Sequence, residues 1–348
     1  YWNMVSLARE DYRKATRFGL EGSNTLVETK ELEQIFEQFS KKIDKGIEKA
    51  LTYGNGIVPT YFTFEASEFE PVINADGQPV MSHYGMQKAK VSAFVATPLP
   101  HFLEGPARML SVMDNREEAK TLCNNVKRSE LFDKKLKMYK TSVPIEEISM
   151  ENGRIRAFTP GWLERESIFL HMEYKYLLGM LKADLIDEYY EELPNTLIPF
   201  LSPSMYGRSI LENSSFIASS ANPNPEVHGR GYVARLSGST TELLSMWSEM
   251  FIGSKVFAYD NGELKLNFNP KLPGWLFDEQ GEATFTFLSN CTVTYYNPSK
   301  KNTYGSDSAV ITGFELDNGV KVVGSVLSGE IAAKVRSGNI KNIKVLMM

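Results

Sequence analysis

The sequence has little cysteine. Cys123 and Cys291 are the only two, they lie far apart, and they match no metal or redox spacing. Their expected state is two buried thiols in a reducing compartment. Histidine is nearly as scarce: His83, His101, His171 and His228 show no ligand spacing, so no metal is expected. No apolar run approaches the length that spans a bilayer, and no signal peptide opens the chain. The expected setting is therefore the cytoplasm. A basic excess is also missing. The net charge of -5 gives no field that would hold nucleic acid or an anionic membrane. Absent too are a Gly-rich Walker loop, a Gly-x-Ser-x-Gly elbow and a dinucleotide fingerprint. The chain lacks an initiator Met and opens on Tyr1-Trp2-Asn3, as though cut from something longer.

What is present is an ordinary globular composition. The 348 residues, 42% hydrophobic and 23% charged, suffice for a large core in one or two domains. From Glu28 to Leu51 the apolar residues Leu32, Ile35, Phe36, Phe39, Ile43, Ile47 and Leu51 keep helical spacing, stopped at Gly54. Residues 57–65 are aromatic and β-branched, and residues 102–137 read as short helices. A long helix is expected from Glu166 to Lys182, a short one from Leu185 to Leu193, and another from Thr240 to Ile252. Between them, residues 194–231 hold many Pro, Ser, Gly and Asn and read as long loops of the kind that carry function.

After Gly253 the period changes. Asn261-Gly262 between Lys255–Tyr259 and Leu264–Phe268 is a hairpin signal. Further strands are expected at 283–288, 292–296, 310–314 and 320–323. Helices first and strands last argue for an all-helical domain followed by a β domain.

Two segments carry most of the chemistry. In Leu236-Ser237-Gly238-Ser239-Thr240-Thr241-Glu242, Ser239 and Glu242 have the spacing of a capping box. Small residues at a helix N-terminus leave amides free for an anion, and phosphate would fit; a plain helix cap accounts for the same residues. His171 falls within the apolar run of its helix. It reads either as a core histidine or as a donor to phosphate. Glu104, Glu164, Glu166 and Glu212, near Trp162, Tyr206 and Phe216, are the residue types that bind sugars. Carboxylates accept hydroxyl hydrogen bonds, and rings pack on pyranose faces. Taken singly, any one of these acids is more often a surface or capping residue.

Several of these segments, in order, resemble the inverting disaccharide and oligosaccharide phosphorylases of glycoside hydrolase family 94. Thr159-Pro160-Gly161-Trp162-Leu163-Glu164-Arg165-Glu166-Ser167-Ile168-Phe169-Leu170-His171 is similar to the family's Pro-Gly…Glu-Asn-Gly-Gly-Ile-Phe…His segment. Leu211–Phe216 is similar to its Glu-Pro-Tyr-Val stretch, and His228–Ser239 to the stretch ending in Trp-Leu-Thr-Gly-Thr. Pro98–Pro106 resembles a segment of the branch acting on β-1,2-glucan. The matches span about residues 98–275. Arg165-Glu166-Ser167 in place of Asn-Gly-Gly, and Ser237 in place of Thr, depart from the pattern.

The resemblance implies a mainly α fold, part of an (α/α)6 barrel followed by a C-terminal all-β domain. Residues 1–253 would be the C-terminal half of the catalytic barrel and residues 254–348 the β domain. It also implies inverting phosphorolysis of β-linked glucooligosaccharides, β-1,2 before other linkages, to α-glucose 1-phosphate. Inorganic phosphate would be co-substrate, with no cofactor. By position, His171, Ser237 and Gly238 would bind phosphate, and Glu164, Arg165, Glu212, Glu104 and Trp162 would bind sugar. The general acid is expected at or upstream of Tyr1, in the remaining N-terminal part of the same protein, so this chain alone should be inactive. A homodimer is left open. An inverting hydrolase or transglycosylase, or a non-catalytic glucan-binding protein, on the same fold are the rival readings.

Overall fold

A computed structural model describes residues 2–20, 22–233, 237–317 and 319–348, without the side chains of Trp2 and Ser237. The chain divides into two compact units, Tyr1–Ala50 and Leu51–Met348. The first holds helix α1 (Trp2–Thr16) and most of α2 (Thr29–Tyr53), whose Leu32, Phe36, Phe39 and Ile43 are exposed.

The second unit opens on a long antiparallel hairpin of β1 (Phe62–Pro71) and β2 (Ala89–Pro98). Helices α3 (Glu104–Leu110) and α4 (Arg116–Arg128) follow. Asn115 caps α4, its side chain accepting from the backbone N–H of Glu117 and Glu118 at 3.0 and 3.2 Å. The apolar face of α4, with Leu122, Cys123 and Val126, is buried. A short hairpin of β3 (Phe132–Asp133) and β4 (Met138–Tyr139) leads through loops to β5 (Ile168–Phe169) and helix α5 (Leu170–Lys182). Because Leu170, Tyr174, Tyr176, Leu177 and Leu181 are all buried, α5 is apolar nearly all round and becomes the central helix. It packs on α3, on α6 (Ile186–Thr196) and on α8 (Ser237–Phe251). Between α6 and α8 the chain forms α7 (Pro203–Tyr206), β6 (Phe216–Ile217) and β7 (Gly231–Tyr232).

Beyond α8 come β8 (Phe257–Asp260), β9 (Glu263–Leu266), β10 (Glu282–Phe287), β11 (Cys291–Tyr296), β12 (Ile311–Leu316), β13 (Lys321–Val323) and β14 (Leu327–Ser328). Helix α9 (Gly329–Arg336) and β15 (Asn342–Met347) complete the described order. The largest sheet runs β10-β11-β15-β12-β13, antiparallel except where β15 lies parallel to β11. Alternating burial along β11 and β15 turns Cys291, Val293, Tyr295, Ile343, Val345 and Met347 into the core.

The expected mainly α fold with part of an (α/α)6 barrel is not what the chain forms. Helix makes up 37% and strand 22%, in nine helices and five small sheets among the described residues, which is a mixed α/β structure. Strands lie between the helices instead of only after them. Residues 62–98 form the hairpin where helix pairs would be needed. Ile168 and Phe169 belong to a strand, because β-branched and aromatic side chains pair across to Ile217 and Phe216. The helix expected from Glu166 therefore begins at Leu170. Both cysteines are free and buried. No helix among the described residues is long and apolar enough to cross a membrane.

Candidate functional site

A three-stranded sheet, β5-β6-β7, positions the site. Phe169 in β5 pairs with Phe216 in β6, and Phe216 pairs with Tyr232 in β7. The chain leaves β5 directly into α5, while α8 begins a few residues after β7. The N-terminal turns of α5 and α8 consequently lie side by side. His171, the second residue of α5, faces the first turn of α8. A Cβ at Gly238 would fall 2.6 Å from His171 Nδ1 and 2.8 Å from its Cγ, so only glycine leaves room for the ring. On its other side His171 Nε2 stands 3.4 Å from Glu242 Oε1. The N-terminal turns of two helices thus meet at one imidazole, with the Glu242 carboxylate beside it and the Leu170 amide donating to the Ser215 carbonyl at 3.2 Å.

Ser239 lies in the first turn of the described helix and donates its hydroxyl to the Ser214 carbonyl at 3.4 Å. The Glu242 carboxylate stands beside His171. His171 is not a core residue: its side chain keeps a third of its surface exposed. Asn213 ties the neighbouring loop to the same turn, donating through Nδ2 to Thr240 Oγ1 at 3.3 Å and accepting from Tyr174 Oη at 3.4 Å.

Of the expected sugar-site residues, Trp162 packs on the β6 and β7 aromatics, Glu104 shares a groove with Glu242, and Glu164 and Glu212 each pair with an arginine of their own loop. Trp162 meets Phe216 and Tyr232 edge to face, with ring centroids 4.9 and 4.5 Å away. Glu104 and Glu242 line one groove of about 200 Å³, together with Arg108, Met172 and Lys175. Glu104 pairs with Arg108 at 2.8 Å, Glu164 with Arg154 at 3.1 Å, and Glu212 with Arg208 at 3.2 Å. All three carboxylates remain partly exposed and able to accept further hydrogen bonds.

Arg165 is different. Its guanidinium is buried and donates to the carbonyls of Arg156 and Phe158, both at 3.0 Å, and to Glu146 at 2.5 Å. It knits the 156–166 loop rather than lining open space. Burial raises the proton affinity of Glu166, opposed by Lys140 at 3.6 Å. The turn holding Trp162 is kept in place by Gly161, whose φ of +72° and contact with the Asn222 backbone admit no side chain. Tyr1 and the side chain of Ser237 lie outside the described residues.

Glu242 and Asn213 are the site residues that the sequence reading missed. Gly238 and Glu242 are four apart on one helix, hence on one face, and that spacing was the available signal for Glu242. Among the described residues no group of three or more His, Cys, Asp or Glu is arranged to hold a metal. No family model matches the chain, and no curated protein matches it.

Replacing Gly238 with alanine should push the imidazole out of this corner. Nuclear magnetic resonance should show the ring contacts with residue 238 lost. The melting temperature should stay within about 4 °C, because helix propensity gains about what crowding costs. An unmoved ring would contradict the contact.

Proposed function

We propose that the chain carries the phosphate-binding part of an inverting phosphorylase acting on β-linked glucooligosaccharides, with β-1,2 linkages foremost. The observation that carries the reading is the meeting of His171 with Gly238 where α5 and α8 begin. A phosphate dianion held there would draw on the dipoles of two helix N-termini, and His171 would have to turn its Nε2–H from Glu242 to the phosphate. In single displacement, one phosphate oxygen bonds to the anomeric carbon as the glycosidic C–O bond breaks. The leaving oxygen takes its proton from a carboxylic acid. The face of Trp162 suits a pyranose ring, and Glu104, Glu164 and Glu212 suit its hydroxyls. Arg165 serves by holding the loop that carries Trp162 and Glu164. The order of segments resembling glycoside hydrolase family 94 supports the same reading, and a cytoplasmic setting is part of the proposal.

The intact protein, given β-1,2- or β-1,4-glucooligosaccharides, should release α-glucose 1-phosphate only with phosphate present. His171→Ala should raise the apparent KM for phosphate about tenfold or more, equivalent to at least ~1.4 kcal/mol, and should leave that for glucan nearly unchanged. Phosphate-independent release of glucose would instead favour a hydrolase. A saturable glucan isotherm without turnover would favour a binding protein.

A further inference from the structure

Helix α2 presents a row of large apolar side chains to solvent. Leu32, Phe36, Phe39 and Ile43 are 39%, 61%, 56% and 60% exposed and follow one another at helical spacing on one face. Single exposed apolar residues are ordinary, but four in one row on a 25-residue helix are not. We propose that this face is covered by α2 of a second copy of the chain, the two helices running antiparallel.

Two further features of α2 select that occupant. The first is charge. Residues 29–40 carry Glu31, Glu33 and Glu37 against Lys30, whereas residues 41–53 carry Lys41, Lys42, Lys45 and Lys49 against Asp44 and Glu48. A parallel pair would set acidic half on acidic half and basic on basic. An antiparallel pair sets each acidic half over a basic one, which attracts along the whole length. The second is Gly46. It continues the apolar row one turn beyond Ile43, in a helix interior where glycine is unfavourable, and nothing lies within 4 Å of the place its Cβ would occupy. With Phe39 on the two-fold axis, Gly46 falls opposite Leu32 of the second copy. The missing side chain leaves the hole into which that leucine fits as a knob. The pair is isologous, so it closes at two copies.

The test uses the full chain in light scattering coupled to size exclusion, over a wide concentration range. The parent should form a dimer that weakens in high salt. Lys41→Glu with Lys45→Glu makes α2 acidic throughout, and Glu33→Lys with Glu37→Lys makes it basic throughout. Each double variant alone should be monomeric, and an equimolar mixture of the two should restore a dimer. Gly46→Leu should loosen the parent dimer by filling the hole. These residues lie on an exposed helix, and circular dichroism will verify that helix content is unchanged. A parent that stays monomeric at every concentration would overturn the proposal, since the face then belongs to some other partner. Double variants that each dimerise alone, or a mixture that does not, would overturn it as well.

Discussion

Asp133→Ala is expected to lower the unfolding free energy by about 3–5 kcal/mol. The Asp133 side chain is buried and accepts four hydrogen bonds. Two come from the Lys135 and Leu136 amides at 3.0 and 3.1 Å. The other two come from the Ser220 amide at 2.7 Å and the Ser220 hydroxyl at 2.8 Å. Removing the carboxylate leaves four part-buried donors without their acceptor, and each orphaned group costs about 1–3 kcal/mol before relaxation. The damage should also reach the site. Ser219 donates its amide to the Gly161 carbonyl at 3.2 Å, and Asn222 packs against Gly161, so the Ser220 tether supports the turn that carries Trp162. Urea unfolding gives the energy, and Trp162 fluorescence follows the turn. A loss below about 1 kcal/mol would show that the four bonds are replaced by water at little cost.

Glu173→Gln should act in the opposite direction. Glu173 is fully buried on α5, and burial first, then the nearby Glu192 and Asp133 carboxylates, raises its proton affinity well above the usual carboxylate range. Its Oε1 accepts the Tyr139 amide at 2.8 Å, a bond glutamine can keep. The sign follows from linkage. In the unfolded chain the group ionises near pH 4.5, whereas in the folded chain it holds its proton to higher pH. Its contribution to stability is therefore complete below about pH 4.5 and is lost progressively as pH rises towards the folded value. The glutamine variant does not titrate, so its advantage should grow with pH, by up to about 1.4 kcal/mol per unit. Thermal unfolding of both proteins between pH 5 and pH 9 reads this directly. A constant difference across that range would mean that Glu173 is ionised when folded.

The parts legible in the sequence are those whose signals are local. The row Leu32–Leu51 marks α2 because helical spacing needs only a few turns to declare itself. Asn261-Gly262 marks the β8–β9 hairpin because its turn needs positive φ at both residues, here 51° and 81°. The elements that were not legible depend on distant partners. Ile168-Phe169 is too short to show alternation, and its apolar residues merge with those of α5. Helix α9 and β15 went unread. Likewise, Ser239 and Glu242 have the spacing of a local cap, and only tertiary structure directs them to Ser214 and His171. For the candidate site, the sequence pointed to His171, Gly238 and Trp162 by residue type and order. It could not distinguish Arg165, buried in its own loop, from an arginine free to touch sugar.

The parallel pairing of β11 with β15 bears on the order in which the molecule assembles. Thr292 and its partner Asn342 lie about fifty residues apart, and β12, β13, β14 and α9 are all made between them. When the chain emerges from a ribosome, β11 and β12 are present well before the strand that joins them. Until β15 arrives, each offers an unpaired edge where the middle of the sheet should be. Contacts so distant along the chain form slowly, and open edges invite pairing between chains. Synthesis stalled shortly before residue 342 should therefore give a nascent chain prone to aggregation, even though most of the core residues have already been made.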